Sequence, residues 1–362
     1  MERNYTIDLI KFFAIFLVVC IHTNPFNNTV IFGVRGDYVS NIIVAVAKIG
    51  VPLFFAISGY LFYTKFEITE FKHEYFKKYM RKIFNLFVCW YIFYVIYDLF
   101  VILFTNYSKG FQIVMQQFQE YFSSLFNLGF IFYGTLSNSS YHLWYLIALL
   151  WAVLILYIAL KMKKLNTLLI ISLVLHFIGQ FGQSYSGLVH IPLNTRDAFF
   201  FGLFYVSLGS FFAKNKTTIL KTTKIIKITP LISMTIFFTF FQVIERLLTY
   251  SLWNPTNINY FITTIPAIIC LLLIMVKYTS IARGSFVSKI GANAVGIYVT
   301  HVFFLELITT IIDTSTLRNV LAQFILTPFI FFLSYIFYNN LQLIKKKMKK
   351  RTNRFQKQIN IN

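Results

Sequence analysis

The stretch IDLIKFFAIFLVVCIHTNPF, residues 7–26, decides how the chain is read. From Ile7 to Asn24 it is long and apolar enough to cross a bilayer as one helix, yet it carries Asp8, Lys11 and His22. Charged and titratable groups are costly inside a membrane, so their presence there first suggests function. Each helical residue advances about 100°, so Lys11 and His22, eleven apart, differ by about 20° and share one face. They lie roughly 16 Å apart along the axis. Asp8 lies one turn before Lys11 and is placed to pair with it. The plainer reading is an interfacial Asp8–Lys11 pair, with Lys11 snorkelling and His22 at the opposite interface.

Working outward, the same apolar texture recurs along the chain. Hydrophobic residues make up 57% of the 362 residues and charged ones only 12%, too little polar surface to cover a water-soluble globule of this length. Ten spans are expected, at 7–24, 43–63, 83–104, 143–160, 167–182, 197–213, 228–248, 260–277, 289–309 and 319–342. The fold class is therefore all-α, a polytopic helix bundle. Residues 1–342 form one integral membrane domain and 343–362 a basic cytoplasmic tail, read as disordered from Lys345 onward. An amphipathic piece at 111–133 is expected on the surface or as a re-entrant segment. The N-terminus lacks the pattern of a cleavable signal and is read as the first span.

The net charge of +21 invites a nucleic-acid reading, but the placement of the cations excludes it. With ten spans, alternate connections carry 26 Lys and Arg on one side and four (Arg35, Lys109, Arg196, Arg318) on the other. That bias follows the positive-inside rule and puts both termini in the cytoplasm, with the basic loops beside anionic lipid. Cys20, Cys89 and Cys270 have no metal or disulfide spacing and read as small core residues. The six histidines are scattered, so no metal site is expected, and no glycine-rich phosphate loop is present.

Three further segments join the first: VPLFFAISGYLFY (51–63), YHLWYLIALLW (141–151) and VGIYVTHVFF (295–304). Together, in this order and over essentially the whole chain, they resemble the acyltransferase-3 family of integral membrane acyltransferases, in particular its stand-alone members. The family's first-span motif is a basic residue, commonly Arg, then ten residues, then His; Lys11 and His22 match the spacing, with Lys in place of Arg. Lysine is a point charge without the bidentate geometry of arginine. Some members carry a fused extracytoplasmic hydrolase-like domain, which is not expected here.

The resemblance implies acetyl-CoA on the cytoplasmic side as acyl donor, an acceptor hydroxyl on a cell-envelope sugar, and a place in a bacterial inner membrane. Lys11 would then hold a CoA phosphate, with Ser58 and Gly59 beside the donor path. His22 would act as general base or as acyl-accepting nucleophile, and the sequence leaves both open. Small-residue packing is the plain alternative for Ser58-Gly59. His142, Trp144, Tyr145, Arg196, Glu245, Arg246 and His301 fall toward the outer side with Lys48, Asp98, His176, Asp197 and Glu306, where a polar pocket would suit a sugar. Arg196 with Asp197, and Glu245 with Arg246, are alternatively simple ion pairs. His176 and His190 read as structural. The competing function is a transporter: similar membrane domains are associated with amino-acid uptake in serine racemases of glycopeptide-resistant bacteria and with export of surface polysaccharide. A scaffold subunit of a glycan synthase is the third reading.

Overall fold

The computed structural model describes residues 3–125, 129, 139–189, 191–255, 257–312 and 319–359, with the backbone alone over 350–359. Helix α1 spans Tyr5–Thr23. Asn4 caps it, its side chain accepting from the Ile7 N–H at 3.2 Å. Asn24 ends it in the left-handed conformation at φ 44°, its N–H bonded to the Cys20 carbonyl at 3.0 Å. A two-residue-turn hairpin follows, β1 (Val30–Ile31) against β2 (Val34–Arg35). Both turn residues, Phe32 and Gly33, have positive φ, which matches the strand twist.

The expected second span is two helices, α2 (Gly36–Ala47) and α3 (Gly50–Ile68), broken at Lys48 and Ile49. Then come α4 (Lys72–Asn106), the amphipathic α5 (Phe111–Leu125), α6 (Trp144–Lys161) entered through a single tight turn at Tyr141–Leu143, and α7 (Leu165–Gln180). A π-helical turn at Ala198–Gly202 leads into α8 (Leu203–Lys214). The remainder is α9 (Lys216–Thr222), α10 (Ile228–Trp253), α11 (Thr264–Lys277), α12 (Phe286–Ala292), α13 (Ala294–Ile311) and α14 (Val320–Ile359). Among the described residues, seven helical stretches are long and apolar enough to cross a membrane. Three shorter apolar ones (Leu165–Gln180, Ala198–Lys214, Thr264–Lys277) complete the set. Each of the ten falls on one of the ten expected spans, and the chain is a polytopic helical bundle.

Two expectations change. The basic tail continues α14 as helix to Ile359 instead of fraying at Lys345. The amphipathic piece is a helix on the flank of α4, docked by Val114 and Tyr121, and its expected end beyond Leu125 lies largely outside the described residues.

α1 lies at the centre, half buried along its span, with α2, α3, α12, α13 and α14 around it. α4 and α10 are mostly exposed along their apolar stretches and present residues such as Phe100, Phe104, Ile236 and Phe240 outward, as lipid-facing helices do. Tight contacts run through small residues. A side chain at Gly59 would collide with the Val206 backbone of α8, and one at Gly209 with the Ala56 backbone of α3. The Ser210 hydroxyl ties the same pair by donating to the Gly59 carbonyl at 3.0 Å.

Candidate functional site

The motifs at the C-terminal end of α1, in the turn before α6 and in the middle of α13 meet toward the outer side of the bundle, as the charge bias defines it. His22, His142 and His301, separated by more than a hundred residues each, form one cluster. Ring centroids lie 5.0 Å apart for His22–His301, 5.3 Å for His142–His301 and 6.4 Å for His22–His142. Among the described residues no group of His, Cys, Asp and Glu has a metal-holding arrangement.

Each ring is oriented differently. His301 is fully buried on α13, and its Nδ1 faces the carbonyls of Tyr298 at 2.7 Å and Ile297 at 3.1 Å. Carbonyls only accept, so the neutral ring carries its proton on Nδ1 and keeps a lone pair on Nε2. That Nε2 is buried without a hydrogen-bond partner among the described residues. His22 is half-buried, and its Nδ1 lies 3.1 Å from the Tyr141 hydroxyl. His142 is buried in the turn before α6, held by its carbonyl, which accepts from the Tyr298 hydroxyl. Its ring packs against Tyr94 and Tyr298, with the backbone of Ser139 and Val299 beside it.

The tyrosine frame is specific. The Tyr94 hydroxyl donates to the Val299 carbonyl at 3.0 Å and accepts from the Phe303 N–H at 3.1 Å. It thus sits within the turn of α13 that carries His301, where an inserted side chain fixes the local helix geometry. Tyr141 and Tyr298 lie inside the quoted motifs, one residue before His142 and three before His301, but only the fold shows that their hydroxyls hold the cluster.

Trp144 and Tyr145 line the next layer. The Arg196 guanidinium stacks 4.9 Å from the Trp144 ring centroid. Tyr145 packs on Phe55 and Tyr298, and its hydroxyl lies 3.2 Å from Ser58 Oγ. Ser58 therefore faces α6, whereas Gly59 faces the backbone of α8 and serves the helix contact. Lys11 sits further toward the cytoplasmic end of α1. The Asp8 carboxylate expected to pair with it takes Arg3 instead, at 2.8 Å, because Arg3 reaches it with both Nε and Nη2.

The other outer residues separate from the cluster. Glu245 and Arg246 do not pair. Glu245 accepts from the Tyr185 hydroxyl at 2.8 Å and from the N–H groups of Ile262 and Thr263 at 2.7 and 2.9 Å, so it caps the entry to α11. Arg246 donates to Asn41 at 2.7 Å. Asp197 does not pair with Arg196; it caps the π-helical turn through the Phe200 N–H at 2.8 Å. His176 is buried, with Nδ1 facing the Phe200 carbonyl at 3.0 Å, and His190 lies outside the described residues. Asp98 is buried and accepts from Tyr121 at 3.0 Å, while Glu306 continues α13 beyond His301.

Residues 4–339 match the family model of the acyltransferase domain, Acyl_transf_3, and the chain belongs to that family. It is a multi-pass membrane protein of the acyltransferase-3 type. A curated relative, an amino-acid racemase of Enterococcus faecalis, is 28% identical over 216 residues, covering 59% of this chain and 27% of the relative. The chain thus matches about a quarter of that relative's length. No solved structure matches.

Proposed function

We propose that the protein transfers an acetyl group from cytoplasmic acetyl-CoA to a hydroxyl of a cell-envelope sugar or polysaccharide in a bacterial inner membrane. The observation that carries this reading is the convergence of His22, His142 and His301 within 5.0–6.4 Å at the outer end of α1, with Lys11 on the same helix at the opposite end.

Lys11 attracts a phosphate of CoA at the cytoplasmic end, and the pantetheine arm follows the α1 face toward His22. His22 acts as general base. With Nδ1–H donated to the Tyr141 oxygen, Nε2 is free to take the proton of the acceptor hydroxyl. The acceptor oxygen bonds to the acetyl carbon as the carbon–sulfur bond breaks. The thiolate then recovers the proton from the imidazolium, so the step is proton-neutral overall. Burial of the neighbouring rings keeps water from competing for the acetyl group. The test is His22→Ala, with membrane expression verified, and ester acetyl released from surface glycan by mild alkali. Loss of acetyl with the protein still present supports the reading; unchanged acetylation in both the variant and a full deletion overturns it.

The likeness to an amino-acid racemase favours a second reading, a membrane unit that moves a small solute without acyl transfer. It predicts uptake that depends on the outer groups and is indifferent to Lys11→Ala.

A further inference from the structure

A second group of charged residues lies beside the histidine cluster, and two of its members have no motif. Lys48 occupies the break between α2 and α3. Its Nζ donates to Asn259 Oδ1 at 3.0 Å, and Arg196 Nη1 donates to the same oxygen at 3.3 Å. Asn259 is oriented for this by its own Nδ2, which donates to Gln183 Oε1 at 2.7 Å. Two cations therefore converge on one neutral acceptor. Among the described residues neither forms an ion pair: Asp197, next to Arg196 in sequence, is spent on capping an N–H group, as is Glu245. Like charges brought together in this way repel, and an anion seated beside them relieves the repulsion.

Space for an anion is present on the Arg196 side of the shared acceptor, with Lys48 behind Asn259 and outside the lining. A cavity of about 480 Å³, in the range of small-molecule sites, opens against Arg196 and Asn259 and is walled by Asn194, Asn257, Ser186 and Gly182. Amide and hydroxyl groups of this kind hydrogen-bond sugar hydroxyls. Arg196 stacks on Trp144, two residues from His142 of the histidine cluster. Broken helices beside a polar cavity are a recurrent way of building substrate sites at membrane depth.

We infer that the outer cavity takes an acidic sugar, bearing a carboxylate or a phosphate, with the negative group seated on Arg196, the Lys48 charge supporting it from behind the shared Asn259, and a hydroxyl presented toward His22. This rests on the acyl-transfer reading above for the fate of that hydroxyl, but the anion site stands on its own geometry. Two cations without an acid disfavour a free amino acid, whose ammonium group would meet them.

The protein is reconstituted in phosphatidylcholine nanodiscs and titrated calorimetrically with glucuronate, glucose 1-phosphate, glucose and serine. At least one of the two acidic sugars should bind about tenfold or more tightly than glucose and serine, and which of them does identifies carboxylate or phosphate as the anchor. Arg196→Gln and Lys48→Gln should each remove about tenfold of that preference, and Arg196→Lys should keep most of it. Glucose or serine binding as well as both acidic sugars overturns the inference, as does undiminished preference in both glutamine variants. Loss of the response when phosphatidylglycerol is added to the disc also overturns it, because the cations then belong to lipid headgroups. Acetyl-CoA consumption is followed in the same discs. If the acidic sugar binds through Arg196 but acetyl-CoA is never consumed, the anion site stands and the acyl-transfer reading falls. If acetyl transfer proceeds equally to neutral and acidic sugars, the reverse holds.

Discussion

Replacing Tyr141 with Phe removes one hydroxyl from the site and almost nothing else. The hydroxyl lies 3.1 Å from His22 Nδ1, and the tyrosine ring lies 5.3 Å from the imidazole, a contact that phenylalanine preserves. If His22 is the base, its Nδ1–H donates to the Tyr141 oxygen and this bond favours the tautomer whose Nε2 is free. A neutral hydrogen bond is worth about 0.5–1.5 kcal/mol net, which at 1.4 kcal/mol per decade is roughly 2- to 12-fold in rate. Loss of the base itself is worth about 10²–10⁴-fold. Y141F should therefore lower kcat by a single-digit to low-double-digit factor and leave the KM for acetyl-CoA in place, because the proposed donor contact, Lys11, is at the far end of α1. H22A should remove transfer almost entirely. The assay is transfer of labelled acetyl to acceptor in membrane vesicles with protein levels matched. If Y141F falls as far as H22A, Tyr141 is itself a reacting group and the general-base assignment to His22 is wrong. If Y141F matches the parent while H22A is dead, the Nδ1 contact is not what orients the ring.

Other outcomes follow from the same geometry. Lys11→Ala should raise the KM for acetyl-CoA with little change in kcat, and Lys11→Arg should restore it; an unchanged KM in the alanine variant removes Lys11 from the donor site. Gly59→Ala forces a methyl group against the Val206 backbone, an overpacking that costs about 1–3 kcal/mol and should lower Tm in detergent. An unchanged Tm with a raised acetyl-CoA KM would instead place Gly59 on the donor path. Glu245→Gln keeps the shape but weakens charge-assisted bonds to Ile262 and Thr263, so Tm should fall while transfer by the folded fraction persists. Loss of transfer at unchanged Tm would return Glu245 to the substrate site.

The spans were legible because bilayer thickness imposes a length and an apolar composition that survive in any sequence, so ten apolar stretches map onto ten helical stretches among the described residues. The break at Lys48–Ile49 was passed over although Gly50 and Pro52 follow it at once: Pro52 has no N–H for the Lys48 carbonyl and suits only the first turn of a new helix. Part of what accommodates the break is distant. Gln242 of α10 donates to the Ala45 carbonyl at 2.6 Å, satisfying an acceptor near the end of α2. Sequence adjacency also misled about partners. Arg196 and Asp197, Glu245 and Arg246, and Asp8 and Lys11 looked like pairs, yet each acid found a stronger or better-placed donor elsewhere: backbone N–H groups for Asp197 and Glu245, and a two-nitrogen arginine for Asp8.

That redistribution has a consequence for the outer site. An acid placed on Arg196 would have neutralised it and left the cavity with no electrostatic preference. Because Asp197 and Glu245 are committed to helix entries, Arg196 is left stacked on Trp144 and sharing Asn259 with Lys48. Trp144 lies two residues after His142 and three after Tyr141, so the turn that carries the imidazole contact also carries the face on which the guanidinium rests. If an acidic substrate shifts Arg196 and His22 is the base, binding of the charged group and orientation of the base would be coupled through residues 141–144. Trp144→Phe, which keeps an aromatic face but a weaker one for a cation, should therefore weaken acidic-sugar binding modestly and also lower kcat. A change in binding alone, with kcat untouched, would show that the two halves of the outer site work independently.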